Sequence, residues 1–144
     1  MQEIFPPTFT KKLYRENDIL IGTFLGGPLA GGYLLAQNFK ALQKPSSYVT
    51  RTWLGTLAVF LVAGLSSLVP VLDNLPTFVY SFVFCLTAHT VAKKFQGPGI
   101  ALHQEDGGRF YSRWNAALVG LICLVLMLVI FFVLSFLEGS EQVD

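Results

Sequence analysis

Few residues in this chain have the type and spacing to do chemistry. His89 stands inside an apolar run, LPTFVYSFVFCLTAHTVA, and an ionisable group at membrane depth is a functional candidate by default. At helical spacing Ser81, Cys85, Ala88 and His89, and Ala92 form one small, mildly polar stripe, which should face the bundle and not lipid. His89 would then lie about one turn from the cytoplasmic edge, as an interfacial or structural histidine, or as a proton relay or solute ligand. Cys85 and Cys123 both sit in apolar runs with no C-x-x-C spacing and no flanking His/Cys cluster. They read as small polarizable filler, with neither a disulfide framework nor a metal site implied.

A second group lies in KKFQGPGIALHQEDGGRFYSRWN. Gln96-Gly97-Pro98-Gly99 and Glu105-Asp106-Gly107-Gly108 read as turns, so His103, Glu105 and Asp106 are expected in a solvated loop. Gly107-Gly108-Arg109 lacks the strand–loop–helix context of a phosphate loop. The sequence shows no nucleophile–base pair, carboxylate pair or metal constellation. The expectation is a non-enzyme without cofactor or metal.

The most distinctive run is GTFLGGPLAGG. It carries two GxxxG patterns, Gly22/Gly26 and Gly27/Gly31, and Ala30 extends the first row. On a helix such rows leave a groove that another backbone can approach closely. Pro28 removes a backbone donor and crowds the carbonyl of Phe24, so a kink or a break into two short helices is expected there. Gly22, Gly26, Gly27, Pro28, Ala30 and Gly31 are thus candidates for helix packing, or for lining a pore through exposed backbone groups.

The elements that position these residues follow from composition. Hydrophobic residues make up 53% and charged residues 13% of 144, against roughly 25% charged in a soluble domain. Mean hydropathy is +0.56. Disordered, nucleic-acid-binding and ordinary soluble classes are excluded, and the bilayer becomes the expected solvent. Four segments lack Asp, Glu, Lys and Arg: 19–35, 54–72, 75–92 and 116–137. A spanning helix needs roughly 17–25 apolar residues, which the fourth meets outright and the first only just. The prediction is a single all-α membrane domain over 1–144, with four transmembrane helices. Asp73-Asn74 and Pro76 would turn the second segment into the third as an antiparallel hairpin. Tyr48, Trp53, Tyr111 and Trp114 fall at segment ends, where amphipathic rings favour the headgroup region.

Charge placement sets orientation. The N-terminal arm, residues 1–18, holds Lys11, Lys12 and Arg15. Connection 36–53 holds Lys40, Lys44 and Arg51. Connection 93–115 holds Lys93, Lys94, Arg109 and Arg113, and the turn and the C-terminal tail hold none. Basic residues favour the cytoplasmic side. Four spans with both long connections inside leave three cations outside. If the glycine-rich first segment enters and returns on one side, all ten are cytoplasmic, as a re-entrant element allows. Both arrangements place 36–53 and 93–115 in the cytoplasm, with a net basic face suited to anionic headgroups. Charged residues and Pro6-Pro7 precede the first apolar run, so no cleaved signal peptide is expected.

The run GTFLGGPLAGGYLLAQNFKAL, Gly22 to Leu42, resembles the opening of a family of small multi-span bacterial membrane proteins of uncharacterised activity. The resemblance is carried by Gly26, Gly27, Pro28, Leu29, Ala30, Asn38 and Phe39. It implies a multi-pass protein of the bacterial inner membrane and supplies no catalytic residues. Two functional expectations result. One is a structural or accessory subunit that packs through its glycine-rich faces, on another copy or in a larger membrane complex, with lipid as its surroundings and no nucleic acid. The other is a small oligomeric channel or transporter using the broken segment around Pro28. Small multidrug exporters depend on a glutamate embedded in the first span, which is absent here, and the charge asymmetry opposes dual-topology insertion.

Overall fold

The computed structural model describes residues 11–66, 68–71 and 74–141. Among them the chain is all-helical: α1 (Glu16–Ala41), α2 (Ser46–Ser66), α3 (Thr77–Val91), a π-helical turn (Ala92–Gln96), α4 (Gly97–Glu105) and α5 (Arg113–Glu141). The extended pairing present is an isolated bridge, Leu13 to Phe110. Glu16–Ala41, Ser46–Ser66 and Arg113–Ser140 are long and apolar enough, by length and composition, to cross a membrane.

α1 is not a straight rod. Gly27 has φ 65° and ψ −157°, a region open essentially to glycine alone. Pro28 follows as the first residue of a new helix, where its missing N–H has no partner to lose. The break reverses the chain. The Asn38 side chain bonds the backbone of Tyr14, although 24 residues of straight helix would separate them by about 36 Å. A Cβ at Gly22 would run into Leu34 Cδ1, and one at Gly31 would meet Thr23 Oγ1 at 2.8 Å. Residues 16–26 and 28–41 are therefore two antiparallel arms of a hairpin with its tip at Gly27. The first segment, expected as one spanning helix with a re-entrant element as the alternative, is thus a helical hairpin. Pro28 alone predicted a kink or break; the reversal comes from Gly27.

The other helices pack around this hairpin. α5 runs alongside the first arm, with Gly22 and Gly26 against Ala116 and Gly120. A Cβ on Gly26 would meet the Gly120 carbonyl oxygen at 2.5 Å. α2 runs antiparallel to the second arm, from Phe39–Tyr48, with ring centroids 5.3 Å apart, to Gly32, where Thr56 occupies the missing side chain's space. α3 returns past Ala88, 3.5 Å from a Cβ on Gly31. α2 and α3 are antiparallel, as predicted, but each packs chiefly on α1. The core lies at the hairpin's base and comprises Tyr14, Ile19, Leu34, Leu35, Phe39, Ala88, Ala92 and Ala116.

Several predicted boundaries shift. The expected connection 36–53 contracts to 42–45, because α1 and α2 continue past their apolar stretches into polar sequence. α2 stops at Ser66, short of the predicted 72, since Pro70 cannot extend the helix. Connection 93–115 is largely helical. Gln96-Gly97-Pro98-Gly99 is not a turn; the wide π turn leads into α4, whose first turn tolerates Pro98. His103 is buried, not solvated. Its Nε2 lies 2.9 Å from the Arg109 carbonyl oxygen, and its ring meets Phe110 edge-on. Asp73 of the predicted turn lies outside the described residues.

The tip gives a direct test. A Cβ on Gly27 would touch nothing within 4 Å, so Gly27→Ala penalises backbone conformation alone. Thermal unfolding of the purified protein should show a loss of about 1–3 kcal/mol. Gly64→Ala, in open helical surroundings, should be neutral or slightly stabilising.

Candidate functional site

Two features around the hairpin combine buried polar groups or open volume. The first is a polar knot at its base. Leu13 and Tyr14 are buried but not helical, so their backbone groups need partners from outside any helix. One edge pairs with the segment before α5: Leu13 N–H donates to Arg109 O at 3.2 Å, and Tyr111 N–H donates to Leu13 O at 2.8 Å. The other edge pairs with a side chain. Asn38 Oδ1 accepts the Tyr14 N–H at 2.8 Å, and Asn38 Nδ2 donates to Tyr14 O at 2.8 Å. One carboxamide thus stands in for a neighbouring strand. Asn38 Nδ2 also donates to Gln96 Oε1 at 3.1 Å, and Gln96 Nε2 donates to Leu35 O at 2.9 Å. The N-terminal arm, the returning arm of α1 and the π turn are fastened together by two amides, each at most 1% exposed.

Aromatic and charged groups close the knot. Tyr14 stacks on Tyr111 with centroids 4.4 Å apart, and burial pushes its phenol up to about 12, aided by the Tyr111 and Tyr33 phenols. Asp18 is buried, and its Oδ2 accepts the Arg15 N–H at 3.2 Å. Its Oδ1 has no hydrogen-bond donor and faces Arg113 Nε at 3.8 Å.

The second feature is a cleft of about 400 Å³ between α2 and α3, floored by the second arm of α1. It runs from Tyr48, Arg51 and Phe95 at the basic end to Val59, Phe84 and Pro28 near the tip. Four threonines line it, yet it is apolar. The hydroxyls of Thr23, Thr52, Thr56 and Thr87 donate to Ile19, Tyr48, Thr52 and Val83 carbonyls of their own helices at 2.7–2.9 Å. Those protons are committed, leaving methyls and weak acceptors on the wall.

The predicted site residues divide between these surroundings. Gly22 and Gly26 form a helical row spent on α5, but Ala30 does not extend it: the break at Gly27 puts Ala30 on the returning arm, where it is buried against Gly26. Gly27 and Gly31 do not form a row, because Gly27 is the non-helical tip; Gly31 fits against Thr23 of the opposite arm. Pro28 and Gly31 also line the cleft. The glycine faces are thus consumed inside the chain, which removes them as docking surfaces for a partner. The stripe on α3 faces inward, with Cys85, Ala88 and Ala92 buried. His89 is half-buried, and its Nδ1 is buried without a hydrogen-bond partner. Cys85 and Cys123 are both free thiols. Among the described residues no three His, Cys, Asp or Glu side chains are grouped so as to hold a metal ion.

Asn38, Gln96 and the cleft lining apart from Pro28 and Gly31 were not singled out from sequence as a site. A mid-chain Asn at the end of an apolar segment was a visible signal for the first; Arg51 was read only as a topology charge. No protein-family model, curated protein or solved structure matches the chain.

The knot makes a quantitative prediction. Asn38→Leu strands the Tyr14 N–H and C=O and one Gln96 oxygen, each unsatisfied group costing roughly 1–3 kcal/mol. A double-mutant cycle with Gln96→Leu, read by thermal unfolding, should show strong non-additivity, because the two amides share a bond.

Proposed function

We propose that the protein is a structural or accessory subunit of the bacterial inner membrane, with three spans, α2, α3 continued by the π turn, and α5, and a re-entrant hairpin, α1, inserted from the cytoplasmic side. One observation carries this reading. With α1 doubled back, all ten Lys and Arg lie at one end of the molecule, while 68–76 and the end of α5 contain none. That separation obeys the positive-inside rule without exception. The arms of the hairpin are helical, and Pro28 just after the break has no N–H to leave unpaired in the hydrocarbon region. The surface supports the same setting: Phe131, Phe132 and Phe136 on α5 are each at least 70% exposed, and Leu54, Leu57, Leu61 and Leu65 line an uncovered face of α2.

The accessory role is supported by α5. After Cys123 none of its described residues is buried, so its distal half leaves a long apolar surface largely uncovered by the described residues. The channel reading gains less support. The hairpin arms close on each other through Gly31 and Thr23, and the cleft beside Pro28 has apolar walls unsuited to a hydrated ion.

Orientation is tested by single cysteines in a background lacking Cys85 and Cys123. Thr8→Cys should be protected from an impermeant thiol reagent in intact cells, and Ser140→Cys should react. Labelling of both would restore four spans. For the role, a mild-detergent pull-down with mass spectrometry should recover a stoichiometric membrane partner, lost when Phe131 and Phe132 are changed to Ala. Flux through liposomes holding the purified chain alone would support the channel instead.

A further inference from the structure

The cleft between α2 and α3 is an open volume in a protein whose first arm and α5 meet backbone to backbone. We infer that it is a binding site for one acyl chain of an anionic phospholipid from the cytoplasmic leaflet, with the headgroup held by Arg51. The inference rests on the orientation proposed above and adds the ligand.

Three observations converge on this occupant. The first is access: α2 and α3 each pack chiefly on α1, and the cleft that both line opens between them to the surrounding lipid. The second is length. From Tyr48 to Val59 the cleft follows α2 for eleven residues, about 16 Å, close to half of the roughly 30 Å hydrocarbon core. The cleft therefore has the depth of one leaflet and ends near the hairpin tip. The third is polarity. The walls are hydrocarbon because the threonine hydroxyl protons are internally bonded, while the rim at the basic end carries the Arg51 guanidinium, with Lys94 close by above the Phe95 ring at 5.7 Å. A greasy slot with cations at its headgroup end complements an anionic lipid. A volume of about 400 Å³ lies within the 300–1,000 Å³ typical of ligand sites. A water-soluble anion would find no acceptor-seeking groups below the rim, and a partner helix of 10–12 Å diameter with side chains would not enter without parting α2 from α1.

The test uses the full chain in detergent and native mass spectrometry, titrated with phosphatidylglycerol or phosphatidylcholine. The wild type should retain one phosphatidylglycerol per chain in preference to phosphatidylcholine. Gly55→Leu fills the cleft from a helical position with open space around it, and should lower retention about tenfold with helix content and elution volume unchanged. Arg51→Gln should reduce the preference for phosphatidylglycerol about fivefold, the factor for one cation at an anionic surface, while phosphatidylcholine retention stays constant. Equal retention by wild type and Gly55→Leu would overturn the site, as would a wild type indifferent to headgroup charge or a second protein chain retained in place of lipid. The orientation is read separately by cysteine labelling, so either conclusion can fail without the other.

Discussion

Every backbone amide placed near hydrocarbon must find a partner within the protein, and the short arm before α1 is where this demand is hardest to meet. Leu13 and Tyr14 are buried in extended conformation with no sheet to join. The structure answers with a carboxamide. Asn38 presents one acceptor and one donor to Tyr14 in the pattern a β-strand would supply, and Gln96 then fixes Asn38. This places the end of the returning arm beside the start of the outgoing arm. The hairpin is closed at its base by hydrogen bonds and at its tip by a residue that only glycine can replace without strain. Close packing of small residues then fills the length between.

The glycine-rich run has three separate tasks within eleven residues. Gly22 and Gly26 admit the backbone of α5 at Ala116 and Gly120. Gly27 provides the reversal. Gly31 and Gly32 admit Thr23 of the opposite arm and Thr56 of α2. A stretch that resembles one repeated dimerisation motif thus serves a contact, a turn and a second contact. The outer helices are attached to the hairpin and hardly to one another, so α1 is the axis of the bundle.

Much of this was legible in the residues. Runs without charge gave the all-helical character; the expectation of four full spans took the first segment as one crossing helix, with a segment returning to its own side kept as the alternative because it gathered all Lys and Arg together. Pro28 marked the break. The boundaries were less legible, because hydropathy marks the part of a helix in hydrocarbon and not where its hydrogen bonding ends; hence the long connections that proved helical. The burial of His103 was hidden because glycine and acidic neighbours look alike in a solvated turn and in a loop folded over a helix. The Asn38–Gln96 bond joins residues 58 apart, a pairing that no local pattern encodes. The cleft was invisible for a related reason: it belongs to no single segment, and arises where α2 and α3 both lean on α1.

The partnership of the first arm with α5 also bears on biogenesis. The glycine row at Gly22 and Gly26 emerges from the ribosome early, whereas the Ala116 and Gly120 that cover it come almost a hundred residues later. Until then the hairpin has Asn38 and its own opposite arm, but one flank lacks its protein neighbour. The packing of the hairpin is therefore complete only once α5, made almost a hundred residues after the glycine row it covers, has been added.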